Sequence, residues 1–333
     1  MMVDKKDALS VVKRSVQLQR VQAQGAPTQG ARKVSSFAAL ERSQDEFAPY
    51  AHGPALVGPH AYWVSQKRLV RRRLDGTGEL EVLTQDAQNA TRVAGWMNGS
   101  EAWVAYITQP DKEGARHAKL WTEGHGTHDL TPEGAGSSSV GLTRARGGVL
   151  AVTLDGRSGM TPLHTRLLTS EPAGVRLGPD VVSWVGGSSQ GTTELFTTTT
   201  SNDEAWAFVP IEQDVTHFGL AQIQLGTAPN PDASAEFIVF ANGMNASVVA
   251  SVQACGQTWV AFARPVKAVE GTQGSSPQEL VLARLDATGL NQPTLLAKAR
   301  VFADVSLASS TGGAMLAYTA DHRTWAASLW CRS

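Results

Sequence analysis

The stretch GSEAWVAYITQ (residues 99–109) recurs in altered form as NDEAWAFVPIE (residues 202–212) and as CGQTWVAFARP (residues 255–265). In each copy a small or polar residue precedes a tryptophan, and apolar and aromatic residues follow it. A pattern that returns along one chain is the sequence signature of repeated supersecondary units. These stretches therefore indicate a repeat protein rather than a set of unrelated domains.

Six copies of this strand are found when weaker matches are included, spaced roughly fifty residues apart, which is enough for four short antiparallel strands each. The residue shared by the copies is aromatic or large and apolar: Tyr62, Trp103, Leu150, Trp206, Trp259 and Met315. A strand rich in small residues and a tight turn stand before most copies, as in TRVAGWMNGS, and small residues suit the crowded innermost strand of a propeller. The sequence predicts an all-β fold, a six-bladed β-propeller of four-stranded blades over residues 31–333.

The last repeat ends after its third strand, so its outer strand has to come from elsewhere if the edge is to be covered. The segment ARKVSSFAALERS (residues 31–43) is the expected donor, and we therefore predict a ring closed by an N-terminal strand. Residues 1–30 are expected to be a flexible or weakly helical tail, since Leu9, Val12, Val16 and Val21 have a loose helical spacing.

The repeated tryptophans are either a binding platform or part of the skeleton. A side chain that recurs once per blade packs between neighbouring sheets, where each ring buries on the order of 200 Å². We therefore expect the tryptophans to be skeleton, and the same explanation is applied to Trp121 and Trp330 in third strands.

Composition and charge limit the classes of function that are expected of this protein. With 29 basic and 30 acidic side chains the net charge is −1, so no nucleic-acid partner is expected. No apolar run is long enough for a membrane span. The N-terminus as written is not a signal peptide, which leaves a cytoplasmic protein, or a periplasmic or secreted one whose leader has been removed. The two cysteines, Cys255 and Cys331, either form one bridge across neighbouring blades or are ordinary buried thiols, and thiols are favoured.

A family resemblance is carried by LWTEGHGTHDLTPEGAGSSSVGLTRARGGVLAVTLDGR (residues 120–157). It resembles the repeat of bacterial TolB-like (WD40-like) propellers, in which an outer strand leads into an inner strand, a turn and a second strand. The family's Ser-Pro-Asp-Gly turn is replaced here by residues 144–147, RARG. The resemblance implies a six-bladed ring that serves in protein–protein interaction.

Catalytic motifs are missing from the sequence: there is no G-x-S-x-G and no P-loop. His125 and His128, with Glu123 and Asp129 nearby, have a spacing that a metal ion would accept, but they lie in a rim turn that is expected to be solvated. No catalytic residue, metal or cofactor is therefore predicted.

The loops between second and third strands should gather on one face of the ring, called the mouth here, together with the connections between blades. Its candidate binding residues are Asp155, Arg157, His217, Arg264, Asp321, His322 and Arg323. Further charges expected there are Lys67, Arg68, Asp111, Lys112 and Asp214. The loop over residues 264–279 is the longest of the set, and an irregular loop on a regular scaffold is where specificity commonly lies.

The leading functional prediction is a non-enzymatic binding or interaction scaffold that uses the mouth, with another protein or a glycan as partner. The first alternative is a carbohydrate-binding or carbohydrate-active propeller with its site in the same mouth. In the second alternative the N-terminal tail docks onto a partner through Val12, Val16 and Val21.

Overall fold

The structure is a computed structural model. It describes residues 10–12, 55–75, 77–88, 91–155, 161–185, 195–214, 217–226, 236–241, 249–266, 277–300, 302–310, 312–320 and 323–331. The regular elements in these ranges are β-strands, and no helix occurs among them, so the protein is all-β. The predicted strand donor at residues 31–43 lies outside the described residues.

The first three sheets follow the N-terminal strand β1 (Ser10–Val12). Sheet one contains β2 (Ala55–Val57), β3 (His60–Ser65), β4 (Arg68–Arg73) and β5 (Glu81–Thr84). Sheet two contains β6 (Ala94–Asn98), β7 (Glu101–Ile107), β8 (Ala118–Thr122) and β9 (Gly126–Asp129). Sheet three contains β10 (Ser139–Ala145), β11 (Gly148–Leu154), β12 (Thr161–Glu171), β13 (Gly174–Leu177) and β14 (Val181–Val185).

Three further sheets complete the described part of the fold. Sheet four contains β15 (Phe196–Thr199), β16 (Ala205–Asp214), β17 (His217–Leu225) and β18 (Glu236–Ala241). Sheet five contains β19 (Val249–Ala254), β20 (Gln257–Pro265), β21 (Gln278–Asp286) and β22 (Gly289–Ala299). Sheet six contains β23 (Phe302–Ser310), β24 (Gly313–Ala320) and β25 (Arg323–Trp330), with β1 as its fourth strand.

Each sheet is an antiparallel meander, in which strands that follow one another along the chain are hydrogen-bonded neighbours. Sheet three departs from this, because β13 and β14 pair with successive parts of the long β12. The six repeated strands found in the sequence are β3, β7, β11, β16, β20 and β24, and each is the second strand of its sheet. The strands that follow them, β4, β8, β12, β17, β21 and β25, are the third strands. The innermost strands β2, β6, β10, β15, β19 and β23 contact one another in chain order.

The apolar core lies between the sheets, in five clusters that each join two consecutive sheets. Trp103 of sheet two is fully buried and packs in a cluster with Val140 and Leu142 of sheet three. Trp206 of sheet four is buried in the same way in a cluster with Val260 and Phe262 of sheet five. The repeated tryptophans therefore belong to the skeleton, as predicted.

Two aromatic side chains in third strands have different environments. Trp121 on β8 is buried in the cluster that joins sheets one and two, as predicted. Trp330 on β25 is 52% exposed, so the prediction that it packs like Trp121 is wrong. On β25 the neighbouring Leu329, whose side chain points to the other face of the sheet, packs against the core in its place.

Small residues allow the innermost strands of sheets three, four and five to approach closely. A Cβ atom on Gly141 would lie only 2.6 Å from Cγ2 of Thr197. Hydroxyl groups join the three strands: Thr143 Oγ1 and Thr199 Oγ1 are 2.7 Å apart, and Ser251 Oγ donates to Thr198 Oγ1 at 2.7 Å. The small and hydroxylated composition of these strands is thus required by their spacing.

The N-terminal strand β1 pairs antiparallel with β25, with Ser10 opposite Ser328. The sequence assigned this segment to a tail and chose residues 31–43 as the donor. A strand that is added at a sheet edge pairs through its backbone N–H and C=O groups. The spacing of the valine side chains therefore does not indicate the pairing. In the described part of residues 1–30 the chain is therefore a strand rather than a loose helix.

A disulfide joins Cys255 to Cys331, with a Cα–Cα distance of 5.3 Å. The preference for two thiols was therefore wrong. Cys255 and Gly256 form the tight β19–β20 turn, with φ of 58° and 68°. Cys331 follows β25, where its N–H donates to Gly312 O at 2.8 Å in the corresponding turn of the next sheet. The two turns thus bring the cysteines of sheets five and six together.

Candidate functional site

The two ends of the sheets differ. At the mouth, connections between second and third strands range from residues 66–67 to residues 266–277. At the opposite end, called the turn face here, first and second strands are joined by short turns: residues 58–59, 99–100, 146–147, 200–204, 255–256 and 311–312. Connections between third and fourth strands also lie at the turn face and range from residues 172–173 to residues 226–235, so the mouth is distinguished by the longest second-to-third-strand connection and by the connections between sheets, and loops of this kind commonly present binding residues.

Asp155 is the candidate mouth residue whose environment is described most fully. It is 6% exposed, and its carboxylate accepts a hydrogen bond from the Gly136 N–H at 3.1 Å. Gly136 belongs to the connection between sheets two and three. Asp155 therefore holds the backbone of a neighbouring mouth connection, whereas the sequence suggested a side chain open to solvent.

Five other candidates have limited description. Arg157, Asp321 and His322 lie outside the described residues. His217 and Arg323 are the first residues of β17 and β25, and their side chains lie outside the described part. Their backbone positions agree with the mouth, since third strands begin there.

Arg264 is paired across the start of the longest connection. Its Nη2 lies 3.1 Å from Glu279 Oε2, and Lys298 Nζ lies 3.0 Å from Glu279 Oε1. Burial alone would raise the pKa of Glu279, but hydrogen bonds from Lys298 and Arg264 hold it below the usual value. These three side chains join β20, β21 and β22 at the mouth.

A second group at the mouth joins the sheet one–sheet two connection to sheet two. Asp86 accepts hydrogen bonds from Tyr106 Oη at 2.9 Å and from Lys119 Nζ at 2.7 Å. Burial would raise the pKa of Asp86, yet the Lys119 and Tyr106 hydrogen bonds lower it. Burial raises the pKa of the fully buried Tyr106. Asp86 is therefore an anion held by its neighbours.

Arg92 was missed by the sequence analysis. It precedes β6 of sheet two, yet its guanidinium lies 5.7 Å from the centre of the Phe196 ring on sheet four. Its Nη1 donates to Val249 O of sheet five at 3.4 Å. Phe196 and Val249 are the first residues of their innermost strands, so Arg92 spans the middle of the mouth. The only sequence signal was one basic residue at the start of a small-residue strand.

Across the described ranges, no three His, Cys, Asp or Glu residues form a group that could hold a metal ion. A Cβ atom on Gly174 of sheet three would lie within 3.7 Å of both His125 and His128, so these imidazoles pack against the neighbouring sheet. Among the residues the structure describes, no helix is long and apolar enough to cross a membrane.

A shallow cavity of about 470 Å³ opens on the turn face between sheets four, five and six. Its wall includes the disulfide and uncharged polar side chains: Ser201, Gln253, Gln257 and Ser309. Among the described residues that line it, none has a titratable side chain apart from the cysteines, which are joined in the disulfide.

No family model and no curated protein matches the sequence. The resemblance to TolB-like propellers therefore remains a prediction. Solved structures with a similar arrangement of strands are β-propellers. One is the fungal lectin of Aleuria aurantia, with 10% identity over 80% of this chain and 86% of that chain and a TM-score of 0.43. Another is the polysaccharide lyase Uly1, with 9% identity over 84% and 90% and a TM-score of 0.42. The similarity concerns the fold alone.

Proposed function

We propose that the chain is a six-bladed β-propeller, closed by its N-terminal strand, that acts as a non-enzymatic binding scaffold through the mouth. The partner is another protein, and neither a cofactor nor a nucleic acid takes part. The pairing of β1 with β25 supports the closure, because it supplies the fourth strand of sheet six from the other end of the sequence.

The observation that carries the proposal is the difference between the two ends of the sheets. At the turn face short turns join the first and second strands beside a disulfide, whereas the mouth has the connections between sheets and the longest second-to-third-strand connection, residues 266–277. The described carboxylates at the mouth are engaged in hydrogen bonds or ion pairs, as Asp86, Asp155 and Glu279 show. Such a surface is preorganised for recognition.

The contact residues proposed for the mouth are Arg157, His217, Arg264, Asp321, His322 and Arg323. Asp155 has a supporting role, since its buried carboxylate holds Gly136 in place. Guanidinium and imidazole groups provide donors, and Asp321 provides an acceptor, which is a combination suited to a polar protein surface.

The test is affinity capture by purified wild-type protein and two triple variants of equal thermal stability. The mouth variant is Arg157→Ala, Asp321→Ala, Arg323→Ala. The control variant on the turn-face side is Arg146→Ala, Glu171→Ala, Arg176→Ala, which removes the same number of charges of each sign. We expect a partner that binds wild type and the control variant but loses at least tenfold in affinity for the mouth variant when purified. Equal binding by all three proteins would reject the mouth.

A carbohydrate-binding or carbohydrate-active propeller is the second candidate. The observation that favours it is the Asp86–Tyr106–Lys119 group, because three titratable side chains within hydrogen-bond distance could support acid–base chemistry at the mouth. A glycan array and a reducing-end assay test it. Turnover or binding that is lost in Lys119→Ala and kept in the turn-face variant would replace the scaffold proposal.

A further inference from the structure

Arg92 brings a positive charge to the middle of the mouth, where three sheets meet. The side chain starts in the connection that leads into sheet two and contacts the first residues of the innermost strands of sheets four and five. It is half-buried, and its position depends on the packing of three separate sheets rather than on one loop. It is therefore a fixed feature of the scaffold.

The charge of Arg92 is not neutralised by the described part of the protein. No carboxylate oxygen of a described residue lies within ion-pairing distance of its guanidinium. A guanidinium has five N–H donors, and the one hydrogen bond of Arg92 is the long contact with Val249 O. The Phe196 ring attracts the cation through its face, which uses none of those donors. Among the described residues, the other N–H donors of Arg92 have no hydrogen-bond partner.

Three other described cations of the mouth are in a different state. Lys119 is paired with Asp86, and Arg264 and Lys298 share Glu279. Each of these three cations contributes little net attraction to an incoming anion, because a carboxylate already lies against it. Arg92 differs from them in having no described carboxylate partner, and it lies at the starts of the innermost strands.

We propose that Arg92 binds a carboxylate of an acidic peptide segment that enters the mouth, an inference that rests on the proposed function and names its ligand class. A planar guanidinium matches a carboxylate through two parallel hydrogen bonds. A single guanidinium also balances the single charge of a carboxylate, whereas a phosphate carries nearly two charges at neutral pH.

A peptide is favoured over an acidic glycan because of the aromatic side chains. Sugar-binding sites present aromatic faces to the ligand, but Trp103, Trp206 and Tyr106 are buried between sheets. In the described ranges the exposed tryptophans are Trp184 and Trp330, which lie on the outer strand β14 and the third strand β25. Neither strand is an innermost strand, so neither indole lies among the first residues of the innermost strands, which are the residues that Arg92 contacts.

The experiment measures binding of defined probes by isothermal titration calorimetry at low salt. The probes are hexaglutamate, hexaglutamine as the neutral peptide of equal length, and trigalacturonate as the acidic glycan. The proteins are wild type, Arg92→Gln, Arg92→Lys and the matched control Arg73→Gln, whose guanidinium pairs with Asp75 on the turn-face side. Thermal unfolding of each variant confirms that it is folded.

We expect wild type and Arg73→Gln to bind hexaglutamate, with affinity reduced at least tenfold in Arg92→Gln and less in Arg92→Lys. Hexaglutamate should also raise the unfolding temperature of wild type but not that of Arg92→Gln. Equal binding of hexaglutamine, or no binding of hexaglutamate by wild type, would overturn the inference. So would a preference for trigalacturonate that depends on Arg92, which would assign the carboxylate to a glycan.

The failure of this inference is distinguishable from the failure of the proposed function. If the captured partner is lost by the mouth triple variant but binds Arg92→Gln normally, the mouth remains the binding surface and Arg92 is not its anion site. If the partner binds the mouth triple variant and Arg92→Gln as well as it binds wild type, the mouth is rejected as the binding surface.

Discussion

Arg71 and Arg92 make the same aromatic contact in opposite electrostatic settings. The Arg71 guanidinium lies 5.5 Å from the centre of the Trp121 ring, close to the 5.7 Å between Arg92 and Phe196. Arg71 is nevertheless held between two carboxylates, with Glu81 at 2.7 Å and Glu123 at 2.6 Å. No described carboxylate pairs with Arg92.

The comparison separates a structural cation from a ligand-binding one. Glu81 belongs to sheet one and Glu123 follows β8 of sheet two, so Arg71 cross-links neighbouring sheets near the turn face. Although burial would lower its pKa, hydrogen bonds from Arg71 to Glu81 and Glu123 raise it further above its already high value. Arg92 crosses to sheets four and five without such compensation. A half-buried charge that no described carboxylate neutralises is a cost to stability, which a role in binding would explain.

The largest expected effect comes from removing the ring beneath each cation. Trp121→Ala should lower the free energy of unfolding by about 3–5 kcal/mol, because the substitution removes a buried indole, which is also the ring against which Arg71 packs. Phe196→Ala should cost about 2 kcal/mol, since this ring is only partly buried. Urea unfolding measures both. Equal losses in the free energy of unfolding for Trp121→Ala and Phe196→Ala would contradict the distinction between Arg71 and Arg92.

Replacing the cations themselves should give a smaller but more informative difference. Arg71→Gln should lower the free energy of unfolding by about 1–2 kcal/mol, because two charge-assisted hydrogen bonds are lost and both glutamates are partly exposed. Arg92→Gln should change it by less than about 0.5 kcal/mol in either direction. A loss at Arg92 as large as that at Arg71 would show that Arg92 is structural.

A pH-dependent effect is expected at Glu279, whose carboxylate pairs with Arg264 as Glu81 and Glu123 pair with Arg71. The folded pKa of Glu279 is depressed, so its stabilising effect is present above the unfolded value of about 4.3 and is lost as the pH falls through the folded value. Glu279→Gln should therefore cost at most about 1 kcal/mol at pH 7 and nothing at pH 2, as pH-dependent urea unfolding would show.

The same variant should sharpen the comparison in a binding measurement. Glu279→Gln frees Arg264 and Lys298 from their shared carboxylate, so hexaglutamate affinity should rise severalfold. Unchanged affinity would place Arg264 away from the ligand.

The skeleton was predictable from sequence because it repeats. Tyr62, Trp103 and Trp206 follow a period, and periodic apolar positions report burial directly. Trp330 shared the strand type of Trp121 but not its environment, since adjacent residues of a strand point to opposite faces. The pairing of β1 left no signal, because strand addition uses backbone groups that every residue carries.

The mouth was predictable as a location but not in its details. Loop position follows from the order of strands, although Arg264 and Glu279 are strand residues of β20 and β21 and the connection itself is residues 266–277. The burial of Asp155 depends on Gly136 of another connection, and the setting of Arg92 depends on sheets four and five. Contacts between residues far apart in sequence form only in the assembled fold, so no local sequence pattern predicts them.

The pairing of β1 with β25 also fixes an order of events during synthesis. Ser10 leaves the ribosome long before Ser328, and at common elongation rates the interval is on the order of tens of seconds. Throughout that time the N-terminal strand has no partner, and sheets one to five can fold as they emerge. Sheet six is completed last, when the two segments meet and Cys331 reaches Cys255. A chaperone that shields the waiting strand would therefore act on residues 10–12 until residues 323–331 have been synthesised.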